Sequence, residues 1–181
     1  LHLFWVFGIG GIGAAGLAAA YKFLPHVRDR IDRFRNPEAG DTFQVDNAMQ
    51  SFIEGGWFGK GPGEGTIKRI LPDSHTDFVF AVTAEEFGII ACLALLSVFA
   101  IVVLRGLYLA RQNEEPFCRL AASGLVILFG IQASINMAVN VHLIPAKGMT
   151  LPFISYGGSS LISLGLAMGL LLAVTRRRPR A

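Results

Sequence analysis

The carboxylate of Asp77 lies at the junction between a polar stretch of the chain and a long apolar run. It belongs to residues 71–78 (LPDSHTDF), after which the side chains are mostly apolar. Ser74 followed three residues later by Asp77 fits a capping box at a helix start. A carboxylate at a membrane rim could also act on a lipid-borne substrate, and the two interpretations are compatible.

Two further acids, Glu85 and Glu86, follow in the same run. On a helix, Glu85 lies about 80° around from Asp77 and Glu86 about 180°. Glu85 is therefore the better candidate to share the face of Asp77. Carboxylates at the entrance of a membrane span are costly unless they are paired or hydrated. A partner on a neighbouring helix, or exposure at the interface, is the alternative for both acids.

A stripe of amides is predicted farther along, because Gln132, Asn136 and Asn140 recur every four residues. Hydrogen bonding between helices is the usual role of such amides in a membrane bundle, and we favour it for Gln132. Asn140 lies nearest the end of its span and could also reach a substrate. Gly165 and Gly169 form a Gly-x-x-x-Gly pair, which indicates helix packing.

Residues 145–160 (PAKGMTLPFISYGGSS) join two apolar windows. Their prolines and paired glycines predict a shaped turn whose serines cap the next helix. Alternatively, backbone N–H groups at that helix start, together with Lys147, form a seat for a diphosphate. The glycine-rich loop around Lys60 is not a Walker loop, because no Gly-Lys-Ser/Thr follows and no strand precedes it. His75 and His142 are too isolated to indicate zinc.

The elements that must position these residues are apolar helices. Of 181 residues, 52% are hydrophobic and 16% are charged, with a mean hydropathy of +0.52. A typical soluble domain has about 25% charged residues. The net charge of +3 does not indicate a nucleic-acid partner, because the basic residues flank apolar windows. The windows of about membrane-spanning length are 3–24, 87–109, 120–144 and 161–174, the last extended from near Gly157.

The polar stretch after the first window contains three predicted parts. Residues 26–35 alternate charge with apolar side chains at helical spacing and predict an amphipathic helix on the membrane surface. Residues 43–54 predict a second short helix, and residues 55–65 predict a loop. Because the chain starts at Leu1 and runs directly into an apolar window, we expect it to be the C-terminal portion of a longer protein.

The arginine-rich tail at 176–181 predicts a cytoplasmic C-terminus by the positive-inside rule. The four arginines between 28 and 35 oppose this orientation, but long loops obey the rule weakly. The sequence predicts an all-α polytopic transmembrane helix bundle with these parts: helix 1–24, extracytoplasmic loop 25–83 with the amphipathic segment and the start of the next helix, helix 84–110, cytoplasmic loop 111–119, helix 120–144, extracytoplasmic loop 145–157, helix 158–175 and basic tail 176–181.

These motifs in this order resemble the SEDS family of bacterial cell-wall glycosyltransferases, named for shape, elongation, division and sporulation. The matching blocks are GWFGKG at 56–61, LPDSHTDFVFAV at 71–82, EEFG at 85–88, NMAVN at 136–140 and KGMTLPFISYGGSS at 147–160. Residues 61–69 (GPGEGTIKR) and the arginine-rich ending are more similar to the division branch of the family than to the elongation branch. The resemblance extends over most of the chain from residue 43.

The resemblance implies a fold of ten transmembrane helices, of which this chain would supply the last four. It implies polymerisation of lipid II, the undecaprenyl-diphosphate-linked disaccharide pentapeptide, at the septum of the bacterial inner membrane. The expected partners are a class B penicillin-binding transpeptidase, other divisome membrane proteins and membrane lipids, with no nucleic acid. Asp77 would be the catalytic carboxylate. The candidate substrate and diphosphate contacts are Lys60, Arg69, His75, Glu85, Asn140, Lys147, Ser155, Gly157, Gly158 and Ser159.

The chemistry agrees with a single catalytic carboxylate. A diphosphate departs as an anion, so a polymerase needs one base for the attacking hydroxyl and cations for the leaving group. Lys147, Lys60 and Arg69 are the visible cations, with Mg²⁺ or Mn²⁺ a possible addition and no metal ligand assigned. A lipid II flippase would instead use polar residues inside the spans. A non-catalytic scaffold of the division complex would tolerate neutralisation of Asp77.

Overall fold

The computed structural model describes residues 3–35, 43–71, 73–145 and 147–176, and every regular element within these ranges is a helix. The predicted all-α class is therefore confirmed. The basic tail at 177–181, loop residues 36–42, Pro72 and Ala146 lie outside the described residues. The chain forms two compact units, Leu1–Thr42 and Phe43–Ala181.

The first unit contains α1 (Leu3–Phe23) and α2 (Pro25–Arg35). Proline is tolerated in the first turn of a helix, so Pro25 marks the start of α2. The Tyr21 hydroxyl donates to Asp32 at 2.8 Å, and the Arg28 guanidinium lies 3.6 Å from the same carboxylate. The expected amphipathic helix is thus present. Its location on a membrane surface, and the crossing of α1, stay predictions.

The second unit contains α3 (Phe43–Gly55), a 3-10 helix (Ile67–Arg69), α4 (Val79–Arg111), α5 (Pro116–Asn140) and α6 (Gly158–Thr175). Helices α4, α5 and α6 are long and apolar enough to cross a membrane. The short helix predicted at 43–54 is present as α3, and residues 56–65 form turns. This unit carries all the predicted site residues.

The long helices differ from the expected ones in two details. Helix α4 begins at Val79, within the segment expected to contain its start, but it is interrupted at Gly88, whose φ is 79°. Helix α5 runs 116–140 rather than 120–144. Pro116 suits the first turn of a helix, and His142, with a φ of 55°, takes a left-handed conformation that ends it. Helix α6 has the bounds expected for the last helix.

Small residues and aromatic rings pack α4, α5 and α6 together. A Cβ on Gly106 of α4 would lie 2.6 Å from the Val126 side chain of α5, so the two backbones approach closely. The main core between these helices buries Phe80, Phe99, Phe129, Met137, Leu151 and Leu164. A second core lies under the 3-10 helix and buries Ala48, Ile67, Leu71, Phe78, Ala81 and Val139.

The packing role predicted for Gly165 and Gly169 is not seen in this part of the chain. A Cβ on either glycine would meet no atom within 4 Å among the described residues. Both lie on a face of α6 that is exposed along much of its length. A Gly-x-x-x-Gly spacing permits close helix contact but does not supply a partner.

Candidate active site

The segment that carries Asp77 is a tight turn before α4. The Asp73 carbonyl accepts hydrogen bonds from the N–H groups of Thr76 and Asp77, both at 3.0 Å, and Asp73 has a φ of 56°. Helix α4 is capped at Phe78, with no side-chain cap. The capping box predicted for Ser74 and Asp77 is therefore wrong, because both residues precede the helix within this turn.

The amide stripe of α5 positions this turn. The side-chain N–H₂ groups of Asn136 and Asn140 each donate to the Asp77 carbonyl at 2.9 Å. The Asn140 side-chain oxygen accepts from the Ala81 N–H at 3.0 Å. Asn140 is 0% exposed, and both polar atoms of its side chain bind the backbone of the Asp77 turn and the first turn of α4. The structure gives Asn140 a positioning role rather than the substrate contact that the sequence suggested.

The loop between α5 and α6 is fastened to the same turn. The Tyr156 N–H donates to the His75 carbonyl at 2.9 Å. Gln132 donates to the Thr150 carbonyl at 3.1 Å, so its amide bonds a loop rather than another helix. The Ser155 hydroxyl accepts from the Leu151 N–H at 2.7 Å and is buried. Hydrogen bonds therefore join the Asp77 turn to a loop that is far from it in sequence.

The Asp77 carboxylate accepts no hydrogen bond from the described residues. Its main-chain carbonyl, in contrast, accepts hydrogen bonds from Asn136 and Asn140. Asp77 is half-buried. Burial, and secondarily the charge of Asp73, raise the pKa of Asp77 above its usual value. A Cβ on Gly148 would lie only 3.2 Å from Asp77 Oδ2. The absence of a side chain at Gly148 thus keeps space open beside this carboxylate.

An open cleft of about 730 Å³ lies beside the turn, and we call it the His75 cleft. Phe153 in its wall has a φ of 62°, a conformation that costs about 1–3 kcal/mol in a residue other than glycine. Strain of this kind is common at functional sites. The cleft is lined by His75, Val79, Phe153, Ile154, Ser155, Tyr156, Gly157, Gly158 and Leu161.

The start of α6 opens onto the His75 cleft. Gly157 is its N-cap, no side chain caps it, and Gly158 and Ser159 are exposed. The predicted serine cap is therefore wrong: the Ser160 hydroxyl pairs with that of Thr150 at 2.7 Å instead. The first N–H groups of a helix have no intrahelical partner and favour anions. Lys147 is exposed directly before Gly148, on the loop that borders Asp77.

Glu85 lies in a different cluster and is 0% exposed. Its Oε1 accepts from the N–H groups of Thr66 at 2.7 Å and Ile67 at 3.0 Å, and Lys60 Nζ lies 3.4 Å away. The prediction that Glu85 shares a helix face with Asp77 is wrong, because Asp77 lies before the first residue of α4. Glu85 instead binds the start of the 3-10 helix to α4.

Lys60 belongs to the Glu85 cluster rather than to the Asp77 turn. Its ammonium pairs with both Glu54 and Glu85, and the hydrogen bond to Glu54 raises the pKa of Lys60. Arg69 is exposed at the end of the 3-10 helix. Of the three cations considered for a diphosphate, only Lys147 adjoins the loop at Asp77.

The break in α4 explains the glycine-rich loop. At Gly88 the helix leaves backbone groups unpaired, and the loop supplies partners. Lys60 N–H donates to the Glu85 carbonyl at 2.9 Å, and Ile89 N–H donates to the Gly56 carbonyl at 2.9 Å. A Cβ on Gly88 would overlap the Trp57 carbonyl. Irregular backbone within a membrane helix is tolerated where protein satisfies it in this way.

Three contributors to the site were not singled out from sequence: Gly148, Phe153 and Tyr156. The function of Gly148 depends on an approach to Asp77 across 71 residues of sequence, which no local pattern reveals. Within the described ranges, no group of three or more His, Cys, Asp or Glu side chains comes together as a metal site. Only Asp73 and Asp77 offer neighbouring carboxylates at the turn.

The FtsW/RodA/SpoVE family, described as cell cycle proteins, matches residues 2–180. A protein of Caulobacter vibrioides called probable peptidoglycan glycosyltransferase FtsW is 51% identical over 177 residues, 98% of this chain and 45% of that protein. Proteins of the same name from Geobacter sulfurreducens and Legionella pneumophila are 46% and 40% identical, over 92% and 96% of this chain and 46% of each.

Among solved structures, a chain from a peptidoglycan synthase complex, studied for how it coordinates polymerization and crosslinking, superposes with a TM-score of 0.75. It is 32% identical over 96% of this chain and 48% of that chain. The chain thus spans about half the length of the relatives it matches. The resemblance to the division branch is confirmed, because these relatives carry the name FtsW.

Proposed function

The chain belongs to the FtsW/RodA/SpoVE family of cell cycle proteins, and on this premise we propose that it is the C-terminal part of a peptidoglycan glycosyltransferase. It is a membrane protein, with three helices suited to cross a bilayer. The substrate of the whole protein is lipid II. The reaction joins the disaccharide of one lipid II to a growing glycan strand at the outer face of the inner membrane.

One observation carries this proposal: the Asp77 carboxylate is held in a braced turn yet lacks a donor among the described residues. The carboxylate oxygens of this half-buried residue stay open to a ligand. A titratable group with a perturbed pKa beside a cleft is a candidate catalytic residue. Its raised pKa makes it a better proton acceptor than an ordinary aspartate. A scaffold or a flippase has no need for such a group.

In the proposed reaction Asp77 removes the proton from the acceptor hydroxyl of one saccharide. The hydroxyl oxygen forms a bond to the anomeric carbon of the donor as the bond from that carbon to the diphosphate breaks. Both electrons of the broken bond leave with undecaprenyl diphosphate. No acid is required for this anionic leaving group, so one carboxylate replaces the pair used by glycoside hydrolases. A single displacement inverts the anomeric centre.

The leaving diphosphate belongs in the His75 cleft. The N–H group of Gly158, with Ser159 next to it, and the start of the α6 dipole supply positive potential there. Lys147 is an exposed cation on the loop that leads to this helix. His75 lines the same cleft and can donate to a phosphate oxygen. The Ser155 hydroxyl accepts from the Leu151 N–H, which shapes the loop and leaves its own O–H available to donate in the cleft that Ser155 lines. Lys60, Arg69 and Glu85 support the site indirectly, through the loop and the 3-10 helix.

A divalent cation fits this site only in part. Mg²⁺ commonly binds through one or two carboxylates together with substrate phosphates, and Asp77 and Asp73 are the residues that would hold it. It would supply charge to offset the departing diphosphate. The proposed partners remain a class B penicillin-binding transpeptidase and other divisome membrane proteins, at the septum, with the C-terminus in the cytoplasm.

The test is polymerisation of purified lipid II by the full-length protein with its transpeptidase partner, for the unmodified protein and for Asp77→Asn. We expect loss of glycan polymer by about a hundredfold or more, the scale of a lost general base. Partner binding and folding should be retained. Normal polymer from Asp77→Asn would refute the proposal. A parallel measurement of lipid II transport distinguishes the flippase alternative, because a flippase would tolerate Asp77→Asn.

A further inference from the structure

A second cleft, of about 380 Å³, lies between α5 and α6, and we call it the α5–α6 groove. Its size falls within the range of about 300–1,000 Å³ that is typical of ligand sites. Leu128 in its wall is 61% exposed, so the groove opens at the surface of the helix pair. It is lined by Leu125, Leu128, Phe129, Gln132, Gly148, Met149, Thr150, Ser160, Ser163, Leu164, Ala167 and Met168.

The lining of the groove changes from polar to apolar along its length. Helices α5 and α6 run in opposite directions, so the end of α5 and the start of α6 meet at the loop. Gln132, Thr150 and Ser160 lie at this end and hydrogen-bond one another. Farther from the loop, every lining side chain except Ser163 is apolar. A ligand that matches this gradient has a polar head and a hydrocarbon tail.

The polar end of the groove adjoins the proposed base. Gly148 lines the groove, and the position of its absent Cβ is 3.2 Å from Asp77 Oδ2. The polar end of the groove therefore lies next to the carboxylate that the proposed reaction uses. Both helices are suited to span a membrane, which puts the apolar end at the depth of lipid chains.

We propose that the α5–α6 groove holds the first isoprene units of the polyprenyl chain of a substrate whose diphosphate lies in the His75 cleft. Ser160, which lines the groove, and Leu161, which lines the cleft, are consecutive residues at the start of α6. The inference rests on the proposed function, since it assigns a subsite to the same substrate. The groove fixes the chain next to the diphosphate, and this orients the anomeric carbon toward the attacking hydroxyl. Chain recognition thereby contributes to the KM for long-chain substrates.

The first test fills the groove. In the full-length protein with its partner, Ala167→Trp places a large ring among the lining residues, whereas Ala173→Trp makes the same change at an exposed position of α6 outside it. We expect Ala167→Trp to raise the KM for the long-chain substrate about tenfold. Turnover of an analogue with a very short prenyl chain should be unchanged, and Ala173→Trp should match the unmodified protein with both substrates.

Equal loss with long and short chains would overturn the proposal, because it would mean that a protein segment occupies the groove. Unchanged KM for both would also overturn it. An unmodified protein that polymerises neither substrate would refute the proposed function instead, so the two failures are distinguishable.

A second readout does not depend on activity. A polyprenyl diphosphate with a diazirine in its first isoprene units should label Met168 or Leu128 of the full-length protein on irradiation. Phosphatidylglycerol with a diazirine in its acyl chain should label these positions much less. Equal labelling by the phospholipid, or labelling confined to other helices, would show a general lipid contact and contradict the assignment.

Discussion

Two carboxylates eight residues apart, Asp77 and Glu85, have opposite surroundings. Glu85 is 0% exposed and accepts hydrogen bonds from Thr66 and Ile67, with Lys60 nearby. Asp77 is half-buried, and no donor among the described residues reaches its carboxylate. The surrounding chain therefore supplies hydrogen-bond donors to the carboxylate of Glu85 but none, among the described residues, to that of Asp77.

The difference separates structure from chemistry. A buried carboxylate whose oxygens are all occupied holds elements together and cannot readily take up a proton. A partly buried carboxylate whose pKa is raised costs stability when it is charged, and proteins retain such costs mainly at functional sites. Around Asp77 only the backbone is braced, through Asn136 and Asn140. The backbone of the proposed base is held in place, while its carboxylate accepts no hydrogen bond from the described residues.

The largest structural effect is expected at Glu85. Glu85→Ala leaves the N–H groups of Thr66 and Ile67 without an acceptor beneath the 3-10 helix. We expect the free energy of unfolding to fall by about 2–6 kcal/mol, at about 1–3 kcal/mol for each of the two N–H groups left without an acceptor. Denaturation of the full-length protein in detergent measures this. Glu85→Gln keeps an accepting side-chain oxygen and should recover most of the lost stability. If it does not, the hydrogen bonds to Thr66 and Ile67 are not the source of the stability that Glu85 provides.

A smaller, mixed effect is expected at Asn140. Asn140→Ala removes the donor to the Asp77 carbonyl and the acceptor for Ala81. The free energy of unfolding should fall by about 2 kcal/mol. Turnover should fall with little change in KM, since the turn that carries the base is loosened. Asn113→Ala, at the cytoplasmic end proposed for α4, is the comparison variant. A change confined to KM at Asn140 would favour direct substrate contact.

At Gly148 we expect an effect on activity with little effect on folding. Gly148→Ala places a Cβ 3.2 Å from Asp77 Oδ2 and narrows the space for the acceptor hydroxyl. Turnover should fall about tenfold, or about 1.4 kcal/mol in activation free energy. Gly165→Ala, where a Cβ meets nothing within 4 Å, should be neutral. Full activity of Gly148→Ala would mean that the reaction does not use this side of Asp77.

The smallest effect concerns pH. Asp73 contributes, after burial, to the raised pKa of Asp77. The base works when deprotonated, so polymerisation falls as the pH drops through that pKa. Asp73→Asn removes one negative neighbour, lowers the pKa of Asp77 and moves the acidic limb of the pH–rate profile to lower pH. Asn suits the left-handed backbone at this position. A limb that moves the other way would contradict the role of Asp77 as base.

Much of this architecture can be predicted from the sequence, because apolar windows of membrane-spanning length dominate it. The all-α class, α3 and the bounds of α6 follow from composition and spacing. The polar block around Asp77 also predicts a candidate functional carboxylate at this position. The interruption at Gly88 does not follow, because one glycine in an apolar run is compatible with an unbroken helix.

The remaining features could not be predicted from the sequence, because they depend on contacts between segments that are far apart in the chain. Spacing on a single helix suggested that Glu85 shares the face of Asp77, but a turn held by Asn136 and Asn140 places Asp77 before the helix. The serine caps failed for a similar reason, since Ser160 pairs with Thr150 across the loop. Tertiary hydrogen bonds override local capping patterns, and the spacing of residues within one segment does not reveal them.

The most direct measurement compares Asp77→Asn with Glu85→Ala in one preparation, recording both the melting temperature and the polymerisation rate. The raised pKa of Asp77 means that its charged form destabilises the fold above the pKa of the unfolded chain, so neutral Asn should leave the melting temperature equal or higher at pH 7. We predict that Asp77→Asn abolishes polymerisation without loss of stability, whereas Glu85→Ala lowers the melting temperature. An Asp77→Asn protein that melts early, or one that polymerises normally, would contradict the division of roles between the two carboxylates.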